Sequence, residues 1–111
     1  HDESMQPGQI ELFVEAKDRA VLDYVDNITI APNGHVIGCE DRQIGTNHIK
    51  GVTPQGQIYT IARNPEPHDA DDTNSELAGA CFSPDGRTLF VNLYSPGATL
   101  AITGPWESFR A

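Results

Sequence analysis

Three short turns constrain this chain more than any other feature. Pro32-Asn33-Gly34, Pro54-Gln55-Gly56 and Pro84-Asp85-Gly86 share one chemistry. Proline presets φ, the polar residue accepts a turn conformation, and glycine supplies φ > 0. Each turn is flanked by runs rich in Val, Ile, Thr, Phe and Tyr, the composition of strands. Three β-hairpins are therefore predicted.

Between and around these turns the chain reads as short strands over residues 9–16, 27–31, 35–39, 47–52, 57–63, 78–82, 88–93 and 98–103. Apolar and polar positions alternate at Ile28/Ile30 and Ile58/Thr60, the period of a strand with one buried face. Helix has little place. The one rival is residues 15–24, where Ala16, Ala20 and Val21 could line one face of a short helix, although their spacing also suits a connecting loop.

The pattern repeats within the chain. Ala31-Pro32-Asn33-Gly34 and Ser83-Pro84-Asp85-Gly86 lie 52 positions apart (83 − 31), and at that offset Ile30 falls on Phe82, Ile37 on Leu89 and Cys39 on Val91. A period near 40–50 residues carrying about four short strands marks propeller blades, which cover their faces only by stacking on neighbours. The expected fold is thus all-β, with antiparallel four-stranded blades. Residues 27–63 form one full blade, residues 78–103 the first three strands of the next, and residues 9–16 the outer strand of the blade before. The whole of residues 1–111 then reads as a partial propeller. A compact antiparallel sandwich or barrel is the alternative, since it also needs many short strands and Gly/Pro turns.

Sixteen acidic against seven basic residues give a formal charge of −9. Such a field repels nucleic acid and anionic membrane surfaces and attracts cations. No apolar run approaches the ~18 residues of a membrane-spanning helix. Cys39 and Cys81 form no C-x-x-C pair, so neither a zinc pattern nor a disulfide framework is indicated. The chain opens at His1 without an apolar leader, so a targeting signal is expected to have been removed or to lie elsewhere in the protein.

Four blocks carry a resemblance. They run from Asp26-Asn27-Ile28-Thr29-Ile30-Ala31-Pro32-Asn33-Gly34 to Cys39-Glu40-Asp41, through Gly51-Val52-Thr53-Pro54-Gln55-Gly56, on through residues 75–92 from Ser75-Glu76-Leu77-Ala78-Gly79-Ala80-Cys81-Phe82-Ser83, and end at Ala101-Ile102-Thr103-Gly104-Pro105-Trp106. In order and spacing they are similar to the C-terminal part of the PhoX-type alkaline phosphatases. The Ser-Pro-Asp-Gly turn is common to many propellers, whereas Cys-Glu-Asp with the terminal Ile-Thr-Gly-Pro-Trp is specific. The resemblance implies a six-bladed bacterial enzyme, periplasmic or secreted, that hydrolyses phosphate monoesters with calcium and iron at the mouth of its channel. It also implies that Glu40 and Glu76 are metal ligands, followed by Asp41, Asp26 and Asn27. Convergent carboxylates at one mouth need cations to be tolerable, which agrees with that reading. Each acid, taken alone, could equally be a solvated strand end, and Asp26-Asn27 a turn.

Other residues offer less to the same chemistry. Cys39 could ligate iron as a thiolate, but a cysteine inside a strand is usually a small hydrophobe. His68 with Glu66, Asp69, Asp71 and Asp72 fails the EF-hand pattern and reads as a mobile acidic loop between blades. Asn27-Ile28-Thr29 matches the glycosylation sequon at a position expected to be inaccessible. No G-x-S-x-G elbow, phosphate-cradling glycine loop or H-E-x-x-H occurs. Hydrolysis would therefore proceed by metal-activated water, with Arg42 the nearest catalytic candidate for contacting the phosphoryl group. The contrasting reading is a non-catalytic propeller module that binds a ligand or protein. By itself the chain is expected to lack activity and to self-associate through open blade faces.

Overall fold

The computed structural model describes residues 7–65 and 75–107. Its described residues contain seven strands and no helix: β1 (Val25–Ile30), β2 (Val36–Glu40), β3 (His48–Val52), β4 (Ile58–Arg63), β5 (Leu77–Phe82), β6 (Thr88–Leu93) and β7 (Ala98–Thr103). They build two antiparallel meanders, β1-β2-β3-β4 and β5-β6-β7. Consecutive strands pair within each sheet, across the Pro-x-Gly turns and across the longer β2–β3 connection alike.

The three Pro-x-Gly turns form as their chemistry requires. Gly34 N–H donates to the Ala31 carbonyl, Gly56 N–H to that of Thr53 and Gly86 N–H to that of Ser83, each at 2.8 Å. The three glycines have φ of 84°, 81° and 70°, a region where a Cβ would strain the backbone. In the third turn the Asp85 carboxylate accepts the Ser83 hydroxyl at 2.6 Å and Arg87 N–H at 3.1 Å. Those two bonds hold its carboxyl below the usual carboxylate range.

The edges β1 and β5 meet, with β2 also lying against β5. Two meanders that meet at their first strands are the arrangement of a propeller fragment. The core fills the space between them. Ile37, Cys39, Ile49, Leu77, Leu89, Val91 and Trp106 are buried there, and the Phe82 ring meets Trp106 edge-on at 5.4 Å. The internal repeat is visible in this core, since Ile37 and its counterpart Leu89, like Cys39 and Val91, belong to one buried cluster with at most 1% exposure.

One expectation needs correction, and of the two readings of residues 15–24 the connecting loop holds. Residues 9–16 are not a strand: they pair with no strand among the described residues, and Ile10, Leu12 and Phe13 are exposed. Alternation of side chains makes a strand only where a neighbouring edge accepts its backbone hydrogen bonds. Residues 15–24 are not a helix either. They hold a single turn in which Val21 and Leu22 N–H donate to the Asp18 carbonyl and Ala20 N–H donates to Asp18 Oδ1 at 2.8 Å. The expected acidic loop around His68 lies outside the described residues.

Candidate metal centre

Three of the expected ligands converge. Asp26 lies in β1, Asp41 just after β2 and Glu76 just before β5, and one carboxylate oxygen from each lies within 4.8 Å of the others. All three stand together beside the starts of β1 and β5 and the end of β2. Local irregularities aim them there. The β1–β2 register runs Val25 to Glu40 and then Asn27 to Cys39, which leaves Asp26 as the extra residue of a bulge. A bulge redirects a side chain out of the regular alternation. Just before it, Tyr24 adopts φ of 47°, and its carbonyl accepts Asp41 N–H at 2.8 Å. A non-glycine residue in that region is strained and persists only where its surroundings over-determine it.

β5 carries a second bulge, between Ala78 and Cys81, with Gly79 at φ of 65°. It turns Ala80 N–H away from the ladder toward Asn27 Oδ1, which accepts it at 3.0 Å across the gap between the sheets. Asn27 is thereby engaged in joining the two sheets.

Glu40 occupies a different environment. It is fully buried, and its carboxylate accepts Asp23 N–H at 3.0 Å and His48 N–H at 3.2 Å, with His48 Nδ1 at 2.8 Å from Oε2. These contacts fasten the segment before β1 and the start of β3 to the end of β2. Arg42 donates from its guanidinium to the Arg19 carbonyl at 3.0 Å, while its Nε faces Asp23 Oδ2 at 3.5 Å, an ion-pair distance outside hydrogen-bond geometry.

The electrostatics are those of uncompensated negative charge. Burial, then the Asp41 and Asp26 carboxylates, raise the Glu76 carboxyl above its usual range. Burial, then Asp26 and Glu76, push the Cys39 thiol up to about 11. A thiol so placed stays protonated near neutrality and acts as a core hydrophobe. Among the described residues no histidine or cysteine joins the carboxylate group. An all-oxygen donor set suits a hard cation such as calcium.

The comparisons with known proteins agree with the block pattern of the sequence. The family model for alkaline phosphatase PhoX matches residues 2–97. The chain belongs to the PhoX alkaline phosphatase family. No match was found among the curated proteins or the solved structures. The family match spans the Asp26 bulge, Cys39-Glu40-Asp41, Glu76 and the third Pro-x-Gly turn, so all three convergent carboxylates lie inside it.

Sequence reading missed the residues that assemble this site: Asp23, Tyr24, Asn47 and His48. Each is an ordinary polar or aromatic residue beside a strand. Only the pairing of distant segments reveals what it holds.

Proposed function

We propose that this chain contributes one wall of the active site of a phosphate-monoester hydrolase, with Asp26, Asp41 and Glu76 holding a hard divalent cation at the channel mouth. The observation that carries the reading is the convergence, within a PhoX family match, of three carboxylates from three separate elements to within 4.8 Å. Three like charges at that spacing are tolerable when a cation sits among them. A bound divalent cation would offset charge on the phosphoryl group and act as a Lewis acid toward water.

The chain's own residues do the positioning. The β1 bulge presents Asp26 to the cluster, and Tyr24 fixes the backbone of Asp41. Arg42, next to Asp41, is the guanidinium proposed to contact the phosphoryl group, exchanging Asp23 for substrate as it does so. Calcium is the cation favoured by the donor set, while iron rests on the family resemblance alone. The two sheets are proposed as one complete and one three-stranded blade of a larger ring. Their outer faces, which carry Ile28 on the first sheet and Phe90 on the second, would then be covered by further blades or by other copies.

The test is hydrolysis of p-nitrophenyl phosphate by the intact protein with calcium and with a chelator. Activity that depends on calcium and falls at least a hundredfold in Asp26→Asn or Glu76→Gln, with unchanged circular dichroism, supports the proposal. Undiminished activity in both variants removes these residues from the site, and a calcium-binding protein without hydrolysis would favour a binding module.

A further inference from the structure

The three carboxylates belong to two sheets, and one side chain ties their supports together. Asn47, immediately before β3, is fully buried. Its Oδ1 accepts Arg42 N–H at 2.6 Å, and its Nδ2 donates to the Ser75 carbonyl at 3.2 Å. Arg42 follows Asp41 directly, and Ser75 directly precedes Glu76. One planar amide thus spans from the backbone beside one carboxylate to the backbone beside the other. An amide does this from one planar head group, its carbonyl oxygen accepting while its NH2 donates.

The surrounding bonds make the bridge a fixed point. Asn64 N–H donates to the Asn47 carbonyl at 2.9 Å, and Asn64 Nδ2 donates to the same Ser75 carbonyl at 2.9 Å. The Ser75 hydroxyl accepts Ser95 N–H at 2.6 Å, and Tyr94 N–H donates to the Glu76 carbonyl at 3.1 Å. Glu76 is therefore anchored to the second sheet, and Asn47 is the side chain that joins this anchor to the turn after Asp41. Nothing in that arrangement requires Asn47 to reach a cation.

We propose that Asn47 is a positioning residue for the carboxylate cluster: by bridging Arg42 N–H and the Ser75 carbonyl it sets the distance between Asp41 and Glu76, and with it the affinity for a cation. The inference rests on the cation site proposed above. Without the bridge, repulsion between the carboxylates separates the two supports, and gathering them again opposes binding. Loss of a residue that orients ligands from behind typically weakens metal binding by about 10- to 100-fold.

The experiment uses the intact protein and four forms: native, Asn47→Ala, Asn47→Asp and Asn64→Ala. Calcium chloride alone is titrated calorimetrically well below each melting temperature, and amide hydrogen exchange is followed by NMR. Asn47→Ala is expected to bind calcium about tenfold more weakly. It should also lose exchange protection at Arg42 and Tyr94 while the amides of β3 and β6 keep theirs. Asn64→Ala, which removes the other hydrogen bond to Ser75 but leaves Arg42 alone, should stay within about twofold of native. Native-like calcium affinity in Asn47→Ala, or exchange that rises evenly over all strands, overturns the proposal. If Asn47→Ala fails to fold, Asn47→Asp decides it: this variant keeps the acceptor and loses the donor. Weaker binding in spite of the added negative charge supports the bridge, and tighter binding with native exchange overturns it. If the native protein binds no calcium, the cation reading fails, yet exchange at Arg42 and Tyr94 still reports whether Asn47 holds the two supports.

Discussion

Glu76→Gln is expected to raise the melting temperature of the protein in chelator and to lower it, relative to native, in saturating calcium. The carboxylate oxygens of Glu76, Asp26 and Asp41 lie within 4.8 Å of one another. At that separation two unit charges repel by about 3 kcal/mol for an effective dielectric of about 20. Asp26 is exposed, so water and salt screen much of this, leaving about 1 kcal/mol of net relief when Glu76 is neutralised. For a chain of this size that is about 4 °C. Calcium reverses the balance. A cation at a hundred times its dissociation constant adds about 2.7 kcal/mol to the native protein, most of which the variant forgoes. The pH dependence follows from the raised Glu76 carboxyl. Above the ordinary carboxylate range the folded native chain holds more protons than the unfolded one, so in chelator its stability falls as pH rises through the raised value. The variant lacks that decline. Scanning calorimetry of both forms with and without calcium measures all of this, and a change of the same sign in both conditions would refute the reasoning.

Leu89→Ala, at a position with no exposure between the sheets, should cost about 2–5 kcal/mol in denaturant unfolding. Ile28→Ala, on the outer face, should cost under about 0.5 kcal/mol in the isolated chain. Gly86→Val should destabilise by about 1 kcal/mol or more, and by more than Gly34→Val: a Cβ at Gly86 would meet Pro32 Cγ at 2.8 Å, whereas the space at Gly34 is open. Thermal melts of the two variants check this order. Asp85, whose carboxyl is held low by the Ser83 hydroxyl and the Arg87 amide, contributes stability above its ordinary value that is lost as pH falls. Asp85→Asn should therefore flatten the acid limb of the stability profile below pH of about 4.

The strands and hairpins were legible because their causes are local. Proline and glycine at fixed offsets dictate the three turns, and the 52-residue repeat matches Ile37 with Leu89 in the core. Residues 9–16 show the limit of that logic: their apolar alternation is real, but a strand also needs a partner edge. The acids at 26, 41 and 76 could be named from the resemblance. Their convergence could not, since it depends on a bulge at Asp26, a left-handed Tyr24 and contact between sheets far apart in sequence. Glu40 is a carboxylate like them and Asn27 a neutral oxygen donor, and both accept backbone N–H groups. Asn47 gave no signal, because a single asparagine opening the expected strand 47–52 matches no motif.

The central claim is that Asp26, Asp41 and Glu76 together hold a cation. Calorimetric titration of calcium chloride into the intact protein and into the triple variant Asp26→Asn, Asp41→Asn, Glu76→Gln tests it most directly. Saturable binding in the native protein that vanishes in a folded triple variant is the predicted result. Identical isotherms for the two proteins would contradict it.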